Sequence, residues 1–202
     1  MKSKLIEHFD KLFPNPKCEL IYHRDYEFLI AVVLSAQCTD KRVNIVTNNL
    51  FKEYDLNKLA KANIKDVEKI LHSLGSYHKK AYYIIEIAKR LINDCNGIVP
   101  NNEKYLESLP GVGHKTSSVV LAELFDIPTI AVDTHVERVA KRLYIANIDD
   151  NIKEVELKIK KMFNKKEYNR INHQILLFGR YYCKAIKPQC YNCPIKCRLK
   201  DK

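Results

Sequence analysis

Apolar residues recur every three or four positions along most of this 202-residue chain, the spacing of one helix face and not the alternation of a strand. The pattern is clearest over residues 81–95, where Ala81, Ile84, Ile85, Ala88, Leu91, Ile92 and Cys95 form one stripe before Gly97 stops the helix. The same period predicts helices over 25–36, 41–54, 64–74, 113–125, 134–144, 151–163 and 167–186, with a shorter one over 103–109. Asp40 and Asn63 stand where N-caps are expected, and Gly75 where a C-cap is. The best strand candidate, TIAV at 129–132, is too short and isolated to found a sheet. With no repeat, low-complexity tract or long linker, the expected fold is compact and all-α.

Composition narrows the class. A hydrophobic share of 46% is enough for a core and argues against disorder. The longest apolar run, FLIAVVL at 28–34, has seven residues, where a membrane helix needs about 20. The first stretch, MKSKLIEHFDKLF, interrupts its apolar positions with Glu7, His8 and Asp10, unlike a secretory signal. A soluble, intracellular chain is expected.

Charge is concentrated at one end. From Lys158 to Lys202 there are 13 Lys and Arg against two acids, Glu167 and Asp201, a net of +11 that equals the formal charge of the whole chain. A charge run is usually a solvated face. Clustering of this kind favours a polyanionic partner, either nucleic acid or an anionic membrane surface.

The seven cysteines divide in two. Cys18, Cys38 and Cys95 stand alone and read as buried structural thiols. The other four, in CKAIKPQCYNCPIKC, place Cys183, Cys190, Cys193 and Cys197 within fifteen residues. Four such thiols in a reducing compartment point to a metal, and the unequal spacing favours a four-iron cluster over the paired knuckles of structural zinc. Lys184, Lys187, Lys196, Arg198 and Lys200 are threaded through the array, so the metal would order a basic loop able to meet phosphates.

LPGVG at 109–113 joins two predicted helices by a tight, glycine-permitted turn whose backbone N–H groups, with the helix N-terminus, suit a phosphate. A plain helix connection uses the same residues. Lys115 then falls in the first turn of the second helix, where a cation is badly placed against the helix dipole.

Taken together, LSAQCTDKRVN at 34–44, GSYHKKAYYI at 75–84, LPGVGHKTSSVVL at 109–121, VDTHVERV at 132–139 and the cysteine array resemble the endonuclease III group of the helix-hairpin-helix DNA glycosylases over nearly the whole chain. The resemblance implies two helical domains flanking a cleft, one of residues 17–128 with the hairpin, the other of residues 1–16 and 129–202 with a [4Fe-4S] cluster on the four cysteines. It implies a monomer acting on double-stranded DNA that holds damaged bases or abasic sites, near the nucleoid. Lys115 becomes the nucleophile at the sugar C1′, and Asp133 its carboxylate partner. Oxidised pyrimidines are the usual substrates, released through a Schiff base and β-elimination. Gln37 fills the gap left in the base stack, while Gly111, Val112, Gly113, Lys184, Lys187 and Lys196 contact the backbone.

Each assignment has a plainer counterpart. Lys115 reads equally as a phosphate-binding lysine, Asp133 as an N-cap for a helix starting at Thr134, and Gln37 as a polar helix end. Burial and the helix end would both favour the neutral amine that attack requires. His135 reads as a helix-start residue or a partner of Asp133; His114, Tyr82 and Tyr83 read as surface and core. Two departures stand out: Ser76 replaces the apolar wedge common in the middle of G-x-Y, and three residues precede Cys197 where the family typically has five. The alternatives are a monofunctional mismatch glycosylase of the same fold, for which Lys115 is out of place, and a non-catalytic DNA-binding iron-sulfur sensor.

Overall fold

The computed structural model describes residues 2–200. Among them are eleven α-helices and no strand: α1 Lys2–Leu12, α2 Asp25–Leu34, α3 Asp40–Glu53, α4 Leu56–Ala60, α5 Ile64–Leu71, α6 Tyr77–Cys95, α7 Glu103–Ser108, α8 His114–Phe125, α9 Thr134–Arg142, α10 Ile152–Met162 and α11 Tyr168–Tyr181. Short 3₁₀ turns occupy Lys165–Glu167 and Cys190–Asn192. The helices group into two compact units, one of residues 19–125, the other of the residues up to 18 together with those from 126 onward.

In the unit of residues 19–125, α2 is the core element. Every residue from Tyr26 to Leu34 is buried, which is how a helix apolar on all sides is accommodated in a globular chain. It packs on α3, α6 and α8, while α4 and α5 cover α6. Helix α6 ends as the sequence suggests: Asn96 (φ 51°) and Gly97 (φ 81°) turn left-handed, and the Gly97 N–H reaches the Leu91 carbonyl at 2.8 Å. The caps of two neighbours differ from expectation. Thr39, not Asp40, caps α3 by accepting the Arg42 N–H at 3.3 Å, and Asp40 instead adds a negative charge to the first turn. Helix α5 stops at Leu71, so Gly75 is not its C-cap.

The other unit is built around α11, against which α1 and α9 pack; α10 covers α9. Leu5, Phe9, Val136, Val139, Ile171, Ile175 and Phe178 form its core. The α9 and α11 backbones approach closely at Gly179, where a Cβ would lie 3.0 Å from the His135 Cβ and 3.1 Å from Val139 Cγ2. Helix α11 ends at Tyr181 and not at 186. Residues 129–132 form no strand; instead the Thr129 and Ala131 N–H groups donate to the Asn169 and Asn172 side chains at 3.0 and 3.1 Å. Two amides of α11 thus replace a neighbouring strand. Among the described residues, no helix is long and apolar enough to cross a membrane.

Candidate active site and cysteine centre

The hairpin between α7 and α8 belongs to the unit of residues 19–125. Asn102 caps α7 by accepting the Tyr105 N–H at 3.0 Å, and Arg90 of α6 holds its end, donating to the Ser108 carbonyl at 2.7 Å and hydroxyl at 2.9 Å. Gly111 takes φ 77°, and a Cβ there would come 2.5 Å from Tyr83 Cδ2, so α6 supports the turn through an aromatic ring. Val112 is buried, and its N–H donates to Leu109 at 3.1 Å. That group is used within the turn, which removes Val112 from the expected outward donors. By contrast, a Cβ on Gly113 would meet nothing within 4 Å. Among the described residues the Gly113, Lys115 and Thr116 N–H groups have no acceptor.

Lys115 lies one residue into α8, exposed and not half-buried as expected, because Ser117 and Ser118 take the inward face of that turn. Its ammonium makes no hydrogen bond or ion pair with the described residues. His114 beside it is held at the surface by Glu107 at 3.1 Å and Glu103 at 3.4 Å. Gln37 and Ser76 lie in the same unit, both exposed and both left-handed, at φ 58° and 56°. For residues other than glycine that conformation costs about 1–2 kcal/mol, so two surface turns carry strain.

Asp133 belongs to the other unit. It caps α9 as the plainer reading has it, with Oδ1 accepting the His135 and Val136 N–H groups at 2.9 and 2.8 Å. Both bonds use one oxygen. Oδ2 accepts none from the described residues, so the capping role leaves half of the carboxylate available. From the same helix Arg138 donates to the Gly179 carbonyl at 2.9 Å and the Cys183 carbonyl at 3.3 Å, and lies 3.1 Å from His135 Nδ1. Burial, and then the charge of Arg142, hold the Arg138 pKa below the usual arginine value.

All four clustered cysteines are free thiols lining one cavity of about 320 Å³, part of it open to solvent, along with Phe178, Tyr182 and Leu199. Cys197 is buried beside the others despite its short spacing. Four thiols around one cavity have the donor set for a metal centre. Burial pushes the Cys193 thiol pKa up, and Cys197 and Cys183 add to this, against a backbone hydrogen bond at Ile195 and the charge of Lys200.

Arginines hold this loop from α9. Arg142 donates to the Lys184 carbonyl at 2.7 Å, the Ala185 carbonyl at 3.3 Å and Cys183 Sγ at 3.4 Å. Arg198, expected among the outward cations, turns inward, donating to the Lys141 carbonyl at 2.9 Å and stacking on Tyr144. Lys184, Lys187 and Lys196 remain exposed. Cys18, Cys38 and Cys95 are half-buried, not buried, since each lies at or beyond the end of an element.

Residues 30–165 match the HhH-GPD superfamily of base excision DNA repair proteins. The chain is 46% identical to endonuclease III of Rickettsia felis over 96% of this chain and 91% of that protein, and 40% identical to endonuclease III of Bacillus subtilis over 94% and 87%. The chain belongs to the endonuclease III family. A solved structure of a trapped endonuclease III–DNA covalent intermediate superposes with a TM-score of 0.94 at 42% identity, covering 100% of this chain and 97% of that one. In this endonuclease III family member, the family resemblance pointed to Lys115 and Asp133 and the thiol array to the cysteines, but neither pointed to Tyr83, Arg138 or Arg142. The signal for the two arginines was their position on α9, each three residues after a residue, His135 and Val139, that meets Gly179 of α11.

Proposed function

We propose that this chain is a base-excision DNA glycosylase with abasic-site lyase activity, in which Lys115 is the nucleophile, Asp133 the assisting carboxylate and a [4Fe-4S] cluster is held by Cys183, Cys190, Cys193 and Cys197. The observation that carries the reading is the Lys115 ammonium, exposed at the start of α8 and unpaired among the described residues, beside N–H groups that none of those residues uses. Those donors suit a phosphate of damaged duplex DNA. Extrusion of the nucleotide costs a few kcal/mol, less for a damaged base. The neutral Lys115 amine attacks the sugar C1′ and the base leaves with the bonding electrons. The sugar ring then opens at C1′–O4′ as the amine proton passes to O4′, and the Schiff base so formed acidifies the C2′ proton, whose loss expels the 3′ phosphate. Asp133 Oδ2 is the oxygen left to steady positive charge on the sugar, and Gln37 fills the emptied position in the stack. Oxidised pyrimidines are the assigned substrates.

A bound cluster supplies structure: it fixes the loop that presents Lys184, Lys187 and Lys196 to the DNA backbone. Four cysteines at unequal spacing in the sequence, lining one cavity, support iron-sulfur over zinc. The protein acts as a monomer inside the cell, on nucleoid DNA.

The test uses a duplex with one thymine glycol or one abasic site, trapped with borohydride. A covalent adduct is expected, and Lys115→Ala should abolish it. Base release without an adduct would instead mark a monofunctional glycosylase; no base release would mark a DNA-binding sensor.

A further inference from the structure

Lys80, in the first turn of α6, is 4% exposed although no carboxylate among the described residues pairs with it. Its ammonium donates to the Ala36 carbonyl at 2.8 Å and to Cys38 Sγ at 3.3 Å. Burying a cation against neutral acceptors is costly. These two acceptors flank Gln37 on either side. The turn is closed from within by the Cys38 N–H on the Ser35 carbonyl at 3.0 Å and by the Ser35 hydroxyl on Val32 at 2.7 Å. Among the described residues, Lys80 alone ties it by hydrogen bonds to a second helix. The Lys80 side chain therefore anchors the strained Gln37 turn to α6.

We propose that Lys80 is a positioning residue that fixes the Gln37 turn on α6, so that Gln37 enters the base stack in register when a nucleotide is extruded. This rests on the reading of Gln37 as the stack filler. An ammonium suits the task because its three donors rotate freely and can satisfy a carbonyl and a sulfur at once. Lys80→Met keeps the stem and removes the donors. The Ala36 carbonyl then loses its partner, and the left-handed turn loses the bond that opposes its relaxation.

The rate of borohydride-trappable adduct formation is measured in single turnover on two substrates, a damaged duplex and a single-stranded oligonucleotide with one abasic site. The single strand has no stack to fill. Lys80→Met should slow the duplex reaction about tenfold or more, as expected for a displaced positioning group, and leave the single-strand rate unchanged. Gln37→Ala should behave likewise, and the double variant should be no slower than the slower single one, because both act through one contact. An equal loss on both substrates, or effects that multiply in the double variant, would reduce Lys80 to general support of the fold and overturn the proposal. Should Lys80→Met not fold, Lys80→Gln, which keeps a shorter donor, carries the same comparisons. A wild-type duplex rate for Gln37→Ala sinks the stack-filling assignment itself, whereas a slow Gln37→Ala beside an unaffected Lys80→Met sinks only the role of Lys80.

Discussion

The two glycines of LPGVG differ in physical role, and alanine at each separates them. At Gly111 a methyl group would lie 2.5 Å from Tyr83 Cδ2, 3.0 Å from Cε2 and 3.2 Å from Cγ, on a backbone at φ 77°. The left-handed conformation costs about 1–2 kcal/mol for alanine, and forcing the ring aside in a packed interior costs about 1–3 kcal/mol. Gly111→Ala should therefore lose about 2–5 kcal/mol of stability. At Gly113 a methyl group meets nothing, so stability should change by less than about 0.5 kcal/mol. The open space in front of Gly113 is where a phosphate would come, and a methyl group there would push it off the unused N–H groups. Loss of one charge-assisted hydrogen bond of about 1.5 kcal/mol weakens binding roughly tenfold. Urea unfolding gives the first quantity, and fluorescence anisotropy with a duplex holding a stable abasic analogue gives the second. A Gly111→Ala protein with the wild-type unfolding midpoint would refute the steric reasoning. A Gly113→Ala protein that binds the duplex as tightly as wild type would refute the phosphate assignment.

The acid side of the stability curve and the cysteine cage provide further tests. The Asn164 N–H on the Glu167 carboxylate at 2.9 Å, outweighing burial, holds the Glu167 pKa below the usual glutamate value. Its contribution is complete above an unfolded pKa of about 4.3 and is lost as pH falls through the lower folded value, so Glu167→Gln should show a smaller drop in stability below about pH 4.3 than wild type. An unchanged acid limb in urea titrations would count against this. Cys197→Ser should lose bound iron and visible absorbance as fully as Cys190→Ser, since both line one cavity; retention of full iron by Cys197→Ser, or zinc in place of iron on elemental analysis, would contradict the four-cysteine assignment.

Long helices were legible because a stripe of buried side chains leaves a period, as in α6. The five-residue α4 was not, since one turn and a half is too short to show one. Overrunning α11 to residue 186 has a similar origin: Ile186 continues the apolar period but is 81% exposed. The resemblance singled out Lys115 and Asp133, and the crowding of thiols singled out the four cysteines. What spacing withheld was direction. Lys79 and Lys80 are adjacent and chemically identical, yet only Lys80 falls four residues before Ile84, on the buried stripe. That a lysine would accept that position was not evident from charge or composition, which place lysines outside. In the same way Arg198 was counted with its basic neighbours until the Tyr144 ring and the Lys141 carbonyl drew it in.

The divided use of the Asp133 carboxylate bears on how any loss of activity at that residue can be interpreted. Alanine there removes a helix cap worth about 1 kcal/mol along with the charge, so a dead Asp133→Ala enzyme confounds a frayed α9 with missing chemistry. Asparagine retains an oxygen for the two amides of α9 and discards only the formal charge. If Asp133→Asn melts with the parent yet turns over far more slowly, the defect is electrostatic, and the scaffold is acquitted.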